Sequence, residues 1–221
     1  MEKQQPPLGD VVAFLRKRFG AVDAVSRLAG GAWSSAFAFE VGGHAFVVRF
    51  GRHVEDYHKD RLAAGWSSPG LPVPAVLEIG AAFDGAFVVS ERLRGDKHDA
   101  LPSEQLAVAV DSLLEMLVTL ATVELPGTGY GASTAPSGEG SHPHWRDYLL
   151  SVPHRDQARI DGWRQRLAGA PFASRVFDRA LSILEELAPR CPDVRHVVHG
   201  DLLYGNVLGS PDDRVSSVIW R

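Results

Sequence analysis

Two short runs of alternating side chains, each followed by a two-residue turn and a return run, constrain this chain more than any other feature. "SSAFAFEV" leads into Gly42-Gly43 and then into "HAFVVRF". "AVLEIGAAFDGAFVVSERL" turns in the same way at Asp84-Gly85. Glycine pairs and Asp-Gly between apolar runs favour tight hairpins. The first 94 residues therefore predict a small antiparallel sheet. A helix over 10–20 precedes it, with Asp10 as N-cap, Gly20 as stop, and Val11, Phe14, Leu15 and Phe19 near one face. "VEDYHKDRLAAGW" reads as a short helix of mixed charge that "LPVP" ends.

Beyond Gly95 the period changes. Ser103 to Glu124 predicts a long helix capped by Ser103, with Leu106, Val110, Leu113, Leu114, Leu117 and Leu120 as its apolar stripe. Residues 125–143 form a loop rich in Gly, Pro and Ser, long enough to suggest a functional or mobile segment. Helices are expected near 143–151, 156–168 and 173–188, then a strand, loop and strand over 196–208, a turn at "SPDD", and a last strand in "RVSSVIW". A sheet followed by helices is the α+β pattern.

Composition excludes more than it selects. The 221 residues, 45% hydrophobic and 23% charged, suit one large domain or two small lobes. A net charge of -4, with no interleaving of aromatic and basic residues, argues against a nucleic-acid partner. Cys191 is the single cysteine, so no internal disulfide forms and a reducing compartment is the simplest setting. No apolar segment of a secretory signal opens the chain, and no run nears the roughly 18 apolar residues of a bilayer span. A cytoplasmic location is the expectation. Nine histidines, among them His142, His144 and His154, show no spacing typical of zinc.

The stretch "HVVHGDLLYGNVL" (196–208) sets Asp201 between apolar runs, with Asn206 five positions on. A carboxylate in such a place is costly unless something uses it. One use is structural: Asp201 capping backbone, Asn206 in a turn. The other is phosphoryl transfer, which needs a carboxylate for the attacking hydroxyl and an oxygen ligand for magnesium on one side of the transferred group.

The pattern His199-Gly200-Asp201-x-x-x-x-Asn206 resembles the catalytic loop of the aminoglycoside phosphotransferase family, and protein kinases share the Asp-to-Asn spacing. "SSAFAFEVGGHAFVVRF", "YHKDR", "LPVPAVLEIG", "WRDYL" and "CPDVRHVVHGDLLYGNVL" recur in the family's order, so the resemblance runs from the first hairpin to residue 208. Within the family they look like its hygromycin B branch. The resemblance implies a protein-kinase-like two-lobe fold, with an antiparallel-sheet nucleotide lobe over 1–94 and a mainly helical, incomplete catalytic lobe over 95–221. It implies ATP and magnesium as cofactors and a small-molecule acceptor, an aminoglycoside such as hygromycin B. A sugar, choline or macrolide acceptor stays open, and so does a catalytically impaired or inert truncated remnant of the fold that binds nucleotide weakly or not at all.

By the same resemblance Asp201 is the base, Asn206 a metal ligand, and His199 a structural residue holding the loop. Gly30, Gly31, Ser34 and Ser35 sit where the fold covers the ATP phosphates. The usual phosphate-binding lysine of the third strand is replaced by Arg49. Its helix partner is Asp60, with Asp56 and Glu55 as competitors. Glu91 and Arg92 fall in the connector whose backbone would meet the adenine. Trp145, Arg146, Asp147 and Tyr148 line the acceptor side or simply pack a helix. The family's second metal ligand, an Asp in a Val-Ile-Asp-Trp pattern, is missing: Ile219 runs directly into Trp220. Asp212 and Asp213 lie too far out to replace it, so little or no turnover is expected.

Overall fold

The computed structural model describes residues 6–29, 34–93, 95–97, 103–132, 134–135, 137–154, 162–202, 206–209 and 215–218. By packing, the chain divides into two compact units, one of residues 1–124 with 196–221 and one of residues 125–195.

The first unit is built on a five-stranded antiparallel sheet in the order β1-β2-β3-β5-β4. Its strands are β1 (Asp23–Arg27), β2 (Ser34–Val41), β3 (His44–Gly51), β4 (Val76–Ala82) and β5 (Gly85–Glu91). The hairpin at Gly42-Gly43 forms as expected, both glycines at positive φ (57° and 80°), the torsions a two-residue hairpin turn requires. The second turn lies one residue earlier than its sequence suggests. Phe83 and Asp84 take the positive φ values, and Gly85 begins β5. Gly85 is needed for space: a Cβ there would stand 2.5 Å from the Gly51 carbonyl oxygen. Phe83 tolerates the left-handed torsion because its ring packs on Phe50 (centroids 5.0 Å) and Phe14 (5.8 Å).

Both sheet faces are covered, which blurs the alternation in β2 and makes β5 buried from Ala86 to Ser90. Helix α1 (Leu8–Phe19) closes one face, where Val11 and Leu15 are buried with Phe37, Phe39, Val48, Phe50, Phe87 and Val89. Asp10 lies inside its first turn and Pro7 precedes the helix; the acid favours the positive helix end without capping it. Arg18, near the end of α1, bonds Glu78 of β4 and lies over the Phe87 ring, 4.7 Å from its centroid. Helix α2 (Val54–Ala64) turns Tyr57, Asp60 and Ala63 inward, Tyr57 packing with Ala86 and Val88.

A second core joins α2 to α3 (Ser103–Ala121) and to the segment after residue 196. Ala63, Leu71, Val73, Met116, Leu120 and Val207 are buried in it, with Leu113, Val197 and Leu202 against them. The buried line of α3 is thus Ala109, Leu113, Met116 and Leu120, whereas Val110, Leu114 and Leu117 of the expected stripe are exposed. The helix is apolar over more than one face, so periodicity alone cannot orient it. His196 closes the helix end, its Nδ1 donating to the Ala121 carbonyl at 2.7 Å. The strand expected from residue 196 is irregular chain as far as 202. Among the described residues of this stretch the strand is β7 (Val207–Gly209), which lies between β6 (Asp96–Lys97) and β8 (Val215–Val218).

In the second unit lie α4 (Trp145–Leu150), α5 (Trp163–Ala168) and α6 (Pro171–Leu187). The described part of the Gly-rich loop is pinned rather than loose. Arg195 spends its guanidinium on five backbone carbonyls: Leu125 (3.1 Å), Pro126 (3.0 Å), Gly127 (2.9 Å), Gly129 (2.9 Å) and Gly138 (2.8 Å). The Glu139 carboxylate accepts from the Thr128 N–H and hydroxyl at 3.0 and 3.1 Å.

Two outcomes are expected. Arg195→Ala strands those carbonyls and should lower stability by about 3 kcal/mol, with faster proteolysis within 125–140, read by urea denaturation and limited trypsin digestion. The hydrogen bond from Arg18 holds the Glu78 carboxyl below its usual range. A depressed acid stabilises above its unfolded pKa and loses that stabilisation as pH falls through its folded one. Both side chains are about a third exposed, so Glu78→Gln should cost under about 1 kcal/mol at pH 7, and less at acid pH as the carboxyl protonates, by denaturation at each pH.

Candidate active site

The bend at His199-Gly200-Asp201 is set by the packing on either side of it. Val197 and Leu202 lie against the Met116–Leu120 core, so the chain must reverse between them. Gly200 makes the reversal with φ +78°; a Cβ there would meet nothing within 4 Å, so the requirement is torsional. His199 is buried beneath the bend, and its Nδ1 accepts the Asp201 backbone N–H at 3.3 Å. The imidazole proton therefore sits on Nε2.

The five-residue spacing now has a physical meaning. Asn206, 4% exposed, donates from Nδ2 to the Asp201 carbonyl at 2.7 Å and to the Asp201 carboxylate at 3.0 Å. One amide thus holds both the backbone and the side chain of Asp201. Val207, directly behind Asn206, is 2% exposed and anchors it in the core. With Nδ2 on Asp201, the amide presents its oxygen as the remaining donor atom, a hard ligand of the kind magnesium takes.

The second constellation joins sheet and helix. Arg49 of β3 forms an ion pair with Asp60 of α2, their side chains 13% and 6% exposed. Register places Arg49 opposite Ala36, on the sheet face toward α2. Among the competing acids, Glu55 is exposed and holds His53 at 3.1 Å, whereas Asp60 shares the inward line of α2 with Tyr57. The Arg49 guanidinium lies over the Tyr57 ring, 5.5 Å from its centroid. Burial pushes the Tyr57 phenol well above its ordinary range. A buried ion pair is poor stabilisation compared with apolar packing.

Other sequence candidates separate. Ser34 shares the Arg49 face by register, while Ser35 pairs with Phe50 and lies buried on the opposite, phenylalanine-rich face. Gly30 and Gly31 fall outside the described residues, as do Ile219, Trp220, Asp212 and Asp213. Glu91 and Arg92 are exposed at the end of β5, and their N–H groups donate to the Ala75 and Ala45 carbonyls. Trp145 and Tyr148 stack on each other (centroids 5.3 Å), and His144 Nδ1 meets Asp193 at 2.9 Å. Among the described residues no three His, Cys, Asp or Glu side chains gather as a metal site. Sequence reasoning passed over Tyr57 as part of this arrangement; its signal was the Tyr57-x-x-Asp60 spacing, which puts both on one helix face.

The architecture has close counterparts among solved structures. A thermostable mutant of aminoglycoside phosphotransferase APH(4)-Ia, in a ternary complex with AMP-PNP and hygromycin B, superposes with a TM-score of 0.84 at 30% identity, covering 96% of this chain and 70% of that one. Spectinomycin phosphotransferase APH(9)-Ia, 13% identical, shares the fold with a TM-score of 0.61 over 98% of this chain and 69% of that one. These define a kinase-like aminoglycoside phosphotransferase fold. Residues 24–219 match the phosphotransferase enzyme family, and the chain belongs to it. It is 30% identical to hygromycin-B 4-O-kinase of Escherichia coli over 99% of its own length, and spans 63% of that protein.

Asn206→Ala leaves the carbonyl and carboxylate of Asp201 without their shared donor. It should lower stability by about 1–3 kcal/mol in urea denaturation, with no change in m-value if the fold is otherwise kept.

Proposed function

We propose that this chain carries the nucleotide-binding and catalytic-loop machinery of an ATP-dependent phosphotransferase acting on a hydroxyl of an aminoglycoside. The nucleotide lobe is residues 1–94 and the catalytic lobe 95–221. The observation that carries the reading is the Asp201 carboxylate held by the buried Asn206 amide at the His-Gly-Asp bend. Similarity to hygromycin-B 4-O-kinase makes hygromycin B the acceptor to test first.

In this reading the acceptor hydroxyl gives its proton to Asp201 while its oxygen bonds to the γ-phosphorus of ATP. The bond from that phosphorus to the β–γ bridging oxygen breaks, and ADP leaves with the electron pair. Asp201 is suited to this because Asn206 and the His199-braced backbone fix its carboxylate before substrate arrives. Arg49, braced by Asp60, holds nucleotide phosphates. Magnesium, when bound with the nucleotide, supplies charge neutralisation at the phosphates; the Asn206 amide oxygen is the ligand this chain offers it. A second reading, nucleotide binding with little turnover, is favoured by one observation: Ile219 meets Trp220 with no acid between them.

ATP titration with and without magnesium, then mass spectrometry of hygromycin B, distinguishes the two. Magnesium-dependent binding and gain of one phosphoryl group support the enzyme; binding without transfer supports the second reading; absence of both overturns these two readings and leaves the inert remnant of the fold. A panel of sugar, choline and macrolide acceptors tests the substrate class. If transfer occurs, Asp201→Asn should slow it by about 100-fold or more with an unchanged circular dichroism spectrum. Transfer at the parent rate would remove Asp201 from the role.

A further inference from the structure

We propose that Tyr57 is a positioning residue, its ring a platform on which the Arg49 guanidinium lies so that an arginine serves where kinase-like folds use lysine. The inference rests on the reading of Arg49 as the phosphate-holding cation.

Three observations lead to it. The guanidinium carbon stands 5.5 Å from the Tyr57 ring centroid, inside the range where a cation is drawn to an aromatic face. Asp60, one helical turn on, engages the same guanidinium, so α2 meets Arg49 with a ring and a carboxylate from a single face. The Tyr57 hydroxyl is buried with no hydrogen-bond partner among the described residues. A phenol buried for its hydroxyl would have a partner; here the ring is the part in use.

The chemistry suits arginine. A guanidinium is flat, weakly hydrated and forked, so it can rest on a ring, bond a carboxylate with one nitrogen and direct others elsewhere. An ammonium has no flat face to lay on the ring. Tyr57 and Asp60 together restrict the side chain to one orientation, which lowers the ordering cost when a phosphate arrives. Tyr57 touches no reacting atom in this scheme and acts only through Arg49.

The test is magnesium-ATP affinity, by isothermal titration, in the full chain carrying a ring series at position 57: Tyr57→Phe, then replacement of that phenylalanine by mono-, di- and trifluorophenylalanine. Fluorine keeps the shape of the ring while draining electron density from its face. Because the hydroxyl has no hydrogen-bond partner among the described residues, Tyr57→Phe should fold and bind ATP within about twofold of the parent. Affinity should then fall stepwise, by about fivefold at three fluorines. In an Arg49→Ala background the same series should be flat. Arg49→Ala is also the control on the underlying reading: unchanged ATP affinity there would defeat the role of Arg49 itself. Weakened binding in Arg49→Ala with no response to fluorination would defeat the Tyr57 inference alone. A Tyr57→Phe chain that does not fold would show that the hydroxyl, not the ring, is what this position needs, and would overturn it equally.

Discussion

The burial of Val207 and Leu202 against Met116 and Leu120 is the contact on which the candidate site depends. It seats the end of the chain on α3 and leaves the bend at Gly200 to turn Asp201 out of the apolar layer. The polar groups of Asp201 are satisfied locally: His199 accepts its N–H, and Asn206 donates to its carbonyl and carboxylate. Without the apolar anchor on both flanks, the same hydrogen bonds would have to order a free loop, whose backbone entropy of about 1–2 kcal/mol per residue exceeds what they return.

The Arg49–Asp60 pair follows a related logic with a different balance. Taking two charges out of water between β3 and α2 is expensive, and apolar side chains of the same size would pack there at less cost. The arrangement makes sense if the cation is being held for something else. Both constellations share one design feature: the charged group is braced by a neighbour on a rigid element, Asp201 by Asn206 ahead of β7 and Arg49 by α2. Preorganisation of this sort is what phosphoryl transfer asks of a protein, since the reaction needs position and charge more than covalent help.

The second unit shows how a segment can look mobile in sequence and be ordered in space. Residues 125–140 have the glycine, proline and serine content of a flexible loop, yet one guanidinium collects five of their carbonyls. Nothing within the loop's own composition signals this. The organising residue is Arg195, more than fifty positions beyond the last of those carbonyls. Such a long-range tie is invisible to any local reading of propensity.

By itself the sequence determined the hairpins, the helix order and the His-Gly-Asp-to-Asn spacing, because turn torsions, periodicity and a five-residue reach are local properties of the chain. It named Asp201, Asn206, Arg49 and Asp60 from pattern. Only the tertiary structure decided which side of α3 is buried, since that helix is apolar on more than one face and its partner, the segment around Val207, comes from the far end of the chain. Packing likewise decided that Ser35 and not Ser34 faces the phenylalanine-rich core, and moved the second hairpin turn to Phe83-Asp84, where ring burial supports a left-handed residue. Each of these depends on neighbours distant in sequence, and burial energy, not propensity, chooses among locally equivalent alternatives.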